Sequence, residues 1–226
     1  MTKKAVIVAH RGSSSEAMEN TSPAFNLALR QGAKFLECDV RETKDSKIVV
    51  IHDAKINRIT SAKGLVSRYT LKELGDFGVP SLKEVLLLIK KKGATLLIEI
   101  KEEGIEKKIL KDIEKTKTEE RVRVISFSKK QLVRVKSLER KIKTGLIFHE
   151  TREDIIKSAL DIHADLVMPN FRNIDESFLK KAHKNKLKVF AWTADSIKES
   201  RKLVKMGVDG VVTNRFRIIN RALKKP

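Results

Sequence analysis

Glu37 and Asp39 stand two residues apart in the run Phe35-Leu36-Glu37-Cys38-Asp39-Val40, whose apolar and β-branched content reads as a strand. Alternate residues of a strand share a face, so both carboxylates point the same way. On a mostly buried strand such a pair repels and is costly to desolvate, so positive charge belongs between them. An oxygen-only pair suits a hard divalent cation, Mg²⁺ or Ca²⁺, with Mn²⁺ also compatible. A second run, Ile48-Val49-Val50-Ile51, follows the turn residues Lys44-Asp45-Ser46. So short a turn rules out a parallel crossover and predicts a hairpin that returns His52 and Asp53 towards the carboxylates. Taken alone, the acid pair reads equally well as exposed carboxylates on an edge strand, and His52-Asp53 as a capped turn.

The elements that position these residues follow one pattern. Strand-like runs at residues 5–9, 34–40, 95–100, 122–125, 144–148, 165–168, 187–191 and 210–213 alternate with helical patterns at 23–31, 81–92, 105–115, 129–138, 152–162, 175–185, 196–206 and 216–223. Ser22 is expected to cap the first helix, with Pro23 at its first position. This α/β alternation predicts a parallel sheet, and its repeat number predicts a closed (β/α)₈ TIM barrel. A doubly wound open sheet is the alternative, but no G-x-G-x-x-G follows the first strand. Residues 54–79, with Gly64, Gly75 and Gly78, read as a short irregular insertion, and residues 1–226 as one barrel domain.

In such a barrel the chemistry collects at the C-terminal strand ends. His10-Arg11-Gly12 closes the first strand, Glu37 and Asp39 lie near the end of the second, and Glu99 and Lys101 end the third. Pro169-Asn170, Trp192-Thr193 and Asn214 close the sixth, seventh and eighth. Arg11 offers a bidentate fork for phosphate, and Gly12 admits close backbone approach. Each residue has a plainer reading: His10 as a core histidine, Glu99–Lys101 as a structural ion pair, Trp192 as core rather than a substrate wall. Glu19 and Asn20 read as preparation for the helix start. His149, His163 and His183 have no acidic neighbour at a suggestive spacing and receive no role.

Composition sets the bounds. The 226 residues suffice for one full core, and 49 Lys+Arg against 29 Asp+Glu give a formal charge of +20. That favours phosphate esters, polyanions or anionic surfaces as partners. The lysines are spread through the expected helices, which reads as a solvated outer shell. A single cysteine, Cys38, excludes an intrachain disulfide and a multi-cysteine zinc site, and it alternates away from Glu37 and Asp39 into packing. The N-terminal apolar run is too short for a signal peptide, and no run is long enough to cross a bilayer, so a soluble cytoplasmic protein is expected.

His10-Arg11-Gly12, Glu19-Asn20-Thr21, Glu37-x-Asp39, Thr43-Lys44-Asp45, His52-Asp53, Arg58-x-Thr60, Pro80-Ser81-Leu82-x-Glu84-Val85, Glu99-x-Lys101 and Gly207-Val208-Asp209-Gly210 occur in that order. Together they resemble the glycerophosphodiester phosphodiesterase family, over residues 10–214. The resemblance implies a (β/α)₈ barrel that hydrolyses glycerophosphodiesters to glycerol 3-phosphate and an alcohol. It implies His10 and His52 as general acid and base, Glu37, Asp39 and Glu99 as ligands of a divalent metal, and phosphate contacts from Arg11 and Lys101. Met18 stands where that family usually has Pro, Ser46 where it has a turn Gly, and Asn214 where Asp is frequent. The alternatives are a related barrel phospholipase acting on lysophospholipids or inositol lipids, with Phe127, Phe148 and Phe171 available for a groove, and a catalytically dead basic binder of nucleic acid or membrane surfaces. The expected partner is a small phosphodiester, with no specific nucleic acid, no transmembrane segment and at most weak membrane-surface contact.

Overall fold

In a computed structural model, residues 5–149 and 155–224 are described. Eight parallel strands close a barrel: β1 (Val6–Ala9), β2 (Phe35–Glu42), β4 (Thr95–Ile100), β5 (Val122–Ser126), β6 (Lys143–Phe148), β7 (Leu166–Pro169), β8 (Lys188–Ala191) and β9 (Gly210–Thr213). β1 pairs with both β9 and β2, which shuts the ring. The extra strand β3 (Ile48–Val50) lies outside it, antiparallel to β2 with Val40 opposite Val50, as the hairpin expectation required.

Helices α1 (Ser22–Arg30), α3 (Leu82–Lys92), α4 (Glu106–Thr116), α5 (Lys129–Leu138), α6 (Ile155–Asp161), α7 (Glu176–Lys184), α8 (Ile197–Met206) and α9 (Phe216–Lys224) surround the strands. The start of the helix expected at 152–162 falls outside the described residues. Val8, Leu97, Ile125, Ile147, Leu166, Met168, Phe190 and Val212 fill the barrel interior, so it is a packed core and not a pore. Cys38 faces the opposite way, into the layer between strands and helices. The lysines of the outer shell, among them Lys91, Lys92, Lys107, Lys180 and Lys184, are exposed. No helix among the described residues is long and apolar enough to cross a membrane.

Local chemistry explains the element ends, with some corrections. Thr21, not Ser22, caps α1: its side chain accepts from Ala24 N, and Ser22 and Pro23 fall inside the first turn. Ser81 and Glu84 form a reciprocal capping box on α3. β2 continues to Glu42 rather than stopping at Val40, because the antiparallel partner β3 extends its ladder beyond the barrel rim.

Residues 54–79 are more ordered than their glycines suggested. They hold two 3₁₀ turns, Ile56–Arg58 and Val66–Arg68, and helix α2 (Leu71–Asp76). Ile56, Val66, Leu74 and Val79 close over Val49 and Ile51 of the hairpin arm as a small separate core. Sequence periodicity misses it because most of its apolar contacts come from 3₁₀ turns, loops and one short helix and not from a long periodic element. That core fixes Arg58 over the barrel mouth. Ile56→Ala is expected to lower unfolding free energy by about 2–5 kcal/mol in denaturant titration; a loss under about 0.5 kcal/mol, the level of a surface change, would show that the insertion is not packed in this way.

Candidate active site

Strand register gathers the acids. Parallel pairing sets Asp39 on β2 directly beside Glu99 on β4, and Glu37 lies one pleat earlier on the same face as Asp39. Ligand atoms of Glu37, Asp39 and Glu99 all fall within 4.8 Å of one another. The three residues are 2%, 0% and 8% exposed, so their mutual repulsion is poorly screened. Burial, then the neighbouring carboxylates Asp39 and Glu99, push the Glu37 carboxyl well above its ordinary range. Burial and Asp39 push Glu99 up in the same way.

The surrounding cations only partly answer this charge. Lys101 Nζ is 2.6 Å from Glu99 Oε1 and 3.6 Å from Asp39 Oδ1. Arg11 Nε lies 3.0 Å from Asp39 Oδ2 without hydrogen-bond alignment, while Arg11 N donates to Glu37 Oε2 at 3.0 Å. Glu37 Oε1 and Asp39 Oδ1 remain buried with no hydrogen-bond partner. Converging all-oxygen donors with orphaned lone pairs fit a hard divalent cation.

The loop after β1 is built for this approach. Arg11 and Gly12 both have positive φ, 54° and 84°, and a Cβ on Gly12 would lie 2.7 Å from the Ala24 carbonyl carbon at the start of α1. The tight bend places the His10 ring, with Nε2 3.7 Å from Glu37 Oε2. His10 Nδ1 meets Asn214 Oδ1 at 2.7 Å. Burial, then the Arg11 charge, holds the His10 imidazole below its ordinary pKa, so the neutral form is favoured.

His52 arrives from the end of the hairpin, its Nδ1 2.6 Å from Asp53 Oδ1. Arg58 Nε donates to Asp53 Oδ2 at 2.6 Å, and Arg58 Nη2 to Glu19 Oε1 at 2.7 Å. Arg11 Nη1 donates to the same Glu19 oxygen at 2.9 Å. One acid thus ties the β1 loop to the insertion. Asn20, also at positive φ, donates to Asp39 Oδ2 at 2.8 Å and accepts from Asp39 N at 3.3 Å. Glu19 and Asn20 are therefore site-building residues, which corrects their reading as mere preparation for a helix.

A cavity of about 320 Å³ opens here. His10, Arg11, Glu37, His52, Glu99 and Lys101 line its polar side, and Ile125, Phe127, Ile147, Met168 and Trp192 line its apolar side. Trp192 donates Nε1–H to Met168 O at 2.8 Å, which holds the indole as a wall. Phe127 and His149 stack with centroids 5.0 Å apart, and both meet Trp192 edge-on. The sequence pattern gives His149 no role, yet it directly follows the end of β6 at Phe148, where a strand-end rule places site residues. His183 also has a partner, Asp209 at 2.9 Å, but it lies away from this cavity.

The family model of the glycerophosphoryl diester phosphodiesterase family matches residues 10–218. The chain belongs to that family. A glycerophosphodiester phosphodiesterase of Caldanaerobacter subterraneus is 36% identical, with 93% of this chain and 94% of the relative covered. One of Bacillus altitudinis is 33% identical, with 95% of each chain covered. Among solved structures, an Oleispira antarctica phosphodiesterase in complex with the product sn-glycerol-3-phosphate superposes with a TM-score of 0.89 at 25% identity, over 98% of each chain.

Within this glycerophosphoryl diester phosphodiesterase barrel, the role of Arg58 does not follow from spacing, since its partners lie at positions 19 and 53. Its hydrogen bond is the main cause that holds the Asp53 carboxyl down at about 2, with His52 adding to it. A depressed folded value means that this contribution to stability is complete above the unfolded carboxyl value of about 4 and is lost as pH falls through about 2. In Arg58→Met, the Asp53 carboxyl is expected to titrate closer to its ordinary value by ¹³C NMR. An unmoved titration would show that Arg58 does not hold this carboxylate.

Proposed function

We propose that the chain hydrolyses glycerophosphodiesters to glycerol 3-phosphate and an alcohol with a divalent cation at Glu37, Asp39 and Glu99, and with His10 and His52 as the general acid and base. The observation that carries this reading is the convergence of three buried carboxylates, two of them with orphaned oxygens, beside two imidazoles in one cavity. The product bound to the Oleispira antarctica relative supports the choice of product.

Mg²⁺, Ca²⁺ or Mn²⁺ bound there supplies Lewis-acid neutralisation of phosphate charge, worth several kcal/mol in such sites. The chain's own residues do the rest. Arg11 and Lys101, on the polar side of the cavity, hold phosphate charge and orient the ester for in-line attack. His10 and His52 each have Nδ1 engaged by a neighbour, leaving Nε2 for proton transfer. One takes the proton from the attacking water, or from a substrate hydroxyl that first closes a cyclic phosphate which water then opens, and the other delivers a proton to the leaving alkoxide. Such steps contribute about 10²–10⁴-fold each. Trp192 and the apolar side exclude water and receive the organic part of the ester.

A small glycerophosphodiester suits the cavity better than a lysophospholipid. Phe148 and Phe171 pack into the outer helix layer, so of the three candidate groove aromatics only Phe127 lines the cavity. Membership in a hydrolase family stands against the reading as a dead binder.

His10→Ala and His52→Ala are each expected to lower kcat on glycerophosphocholine by about 10²–10⁴-fold while melting near the wild-type temperature; full activity in either variant would remove its acid–base role. Mg²⁺ or Ca²⁺ at about 100 times its Kd should stabilise the wild type by about 2.7 kcal/mol and leave the melting temperature of Glu37→Gln nearly unmoved. Excess chelator should abolish turnover, and turnover that persists would contradict the metal role.

A further inference from the structure

The support behind His10 reaches one residue further than the ring's own partner. Asp195, in the loop between β8 and α8, shares no hydrogen bond or ion pair with His10. Its Oδ1 accepts from Thr213 Oγ1 and from Asn214 N, both at 2.8 Å, and its Oδ2 accepts from Asn214 Nδ2 at 2.7 Å. A carboxylate can only accept, so the Asn214 amide must turn its NH₂ to Asp195 and its oxygen away. That oxygen faces His10 Nδ1 at 2.7 Å and also accepts from Ser14 Oγ at 3.1 Å. An amide oxygen cannot donate, so Nδ1 must carry the proton and Nε2 is left bare towards Glu37 and the cavity. Turning the amide over would set its oxygen against the carboxylate and its NH₂ against the ring. The amide orientation, normally a free choice between two similar fits, is here decided by charge.

We propose that Asp195 is a positioning residue which, through Asn214, fixes the tautomer of His10 with Nε2 unprotonated towards the substrate. This deepens the proposed function and rests on His10 as a proton-transfer group. A plainer role for Asp195 would be to pin the end of β9, through Thr213 and Asn214 N. The two roles separate because an asparagine at 195 can still pair with Asn214 and Thr213 but no longer forbids the amide from turning. The two residues are also interchangeable in principle: with aspartate at 214 and asparagine at 195, position 214 can again only accept from His10 Nδ1.

The test combines kinetics with ¹⁵N NMR of histidine-labelled protein, for the wild type, Asp195→Asn and the double variant Asp195→Asn/Asn214→Asp. In the wild type, His10 should show a protonated Nδ1 and a bare Nε2. In Asp195→Asn, the other tautomer should appear, and kcat should fall on the order of 10–100-fold with KM changed far less. In the double variant, the wild-type tautomer should return and most of kcat with it. A bare Nδ1 in the wild type overturns the proposal outright. So does an unchanged His10 spectrum in Asp195→Asn, whatever its kcat, since a lower rate would then come from the structural role alone. Failure to recover tautomer and rate in a folded double variant also counts against it. The spectrum reads the tautomer without turnover, so full activity in His10→Ala, which would remove the proton-transfer role, and an unaltered tautomer in Asp195→Asn remain separate results.

Discussion

Three buried carboxylates within 4.8 Å repel one another, and most of the barrel mouth answers that repulsion. Asn20 grips Asp39 from the side, the Arg11 amide donates to Glu37, and Lys101 leans on Glu99. What they leave unsatisfied, Glu37 Oε1 and Asp39 Oδ1, marks where further positive charge fits. The cluster is held together by the parallel register of β2 and β4 and by the hairpin that carries His52 back over it. Such a buried cluster of like charges is costly to a fold and could hold a metal ion.

The same acids explain why the mouth is layered. Arg11 faces Asp39 and Glu19, Glu19 faces Arg58, and Arg58 faces Asp53, which holds His52. Acids and arginines alternate along this chain, so Arg11, Glu19, Arg58 and Asp53 each have two partners rather than one. The insertion at 54–79 takes part through Arg58, and its small core gives that arginine a fixed platform. On the other flank, Asn214 and Asp195 secure His10. Each imidazole is thus anchored at Nδ1 by a different partner, one a charged carboxylate and the other a neutral amide.

Much of this was legible in the sequence. The βα alternation implied the barrel, and the two-residue spacing of Glu37 and Asp39, with polar residues at strand ends, pointed to the mouth. The brevity of the Lys44–Ser46 turn implied the hairpin. Position-based reading failed where partners meet across distant elements: Glu19 with Arg58, Asn20 with Asp39, Asp195 with Asn214. Nothing in local pattern distinguishes these residues from loop or cap residues, because their roles come from barrel closure. Thr21 took the cap expected of Ser22 because both residue types can accept from the helix start, and the bend after Asn20 decides between them. His149 escapes a pattern based on acidic neighbours because its place in the cavity wall comes from aromatic stacking.

The central claim is that one dication joins Glu37, Asp39 and Glu99. Anomalous diffraction from crystals soaked in Mn²⁺ tests it most directly. A single strong peak within roughly 2.0–2.6 Å of an oxygen of each of the three carboxylates, at the polar side of the cavity, is the predicted result. No peak there, or a peak bound to only one of the three, would contradict the account.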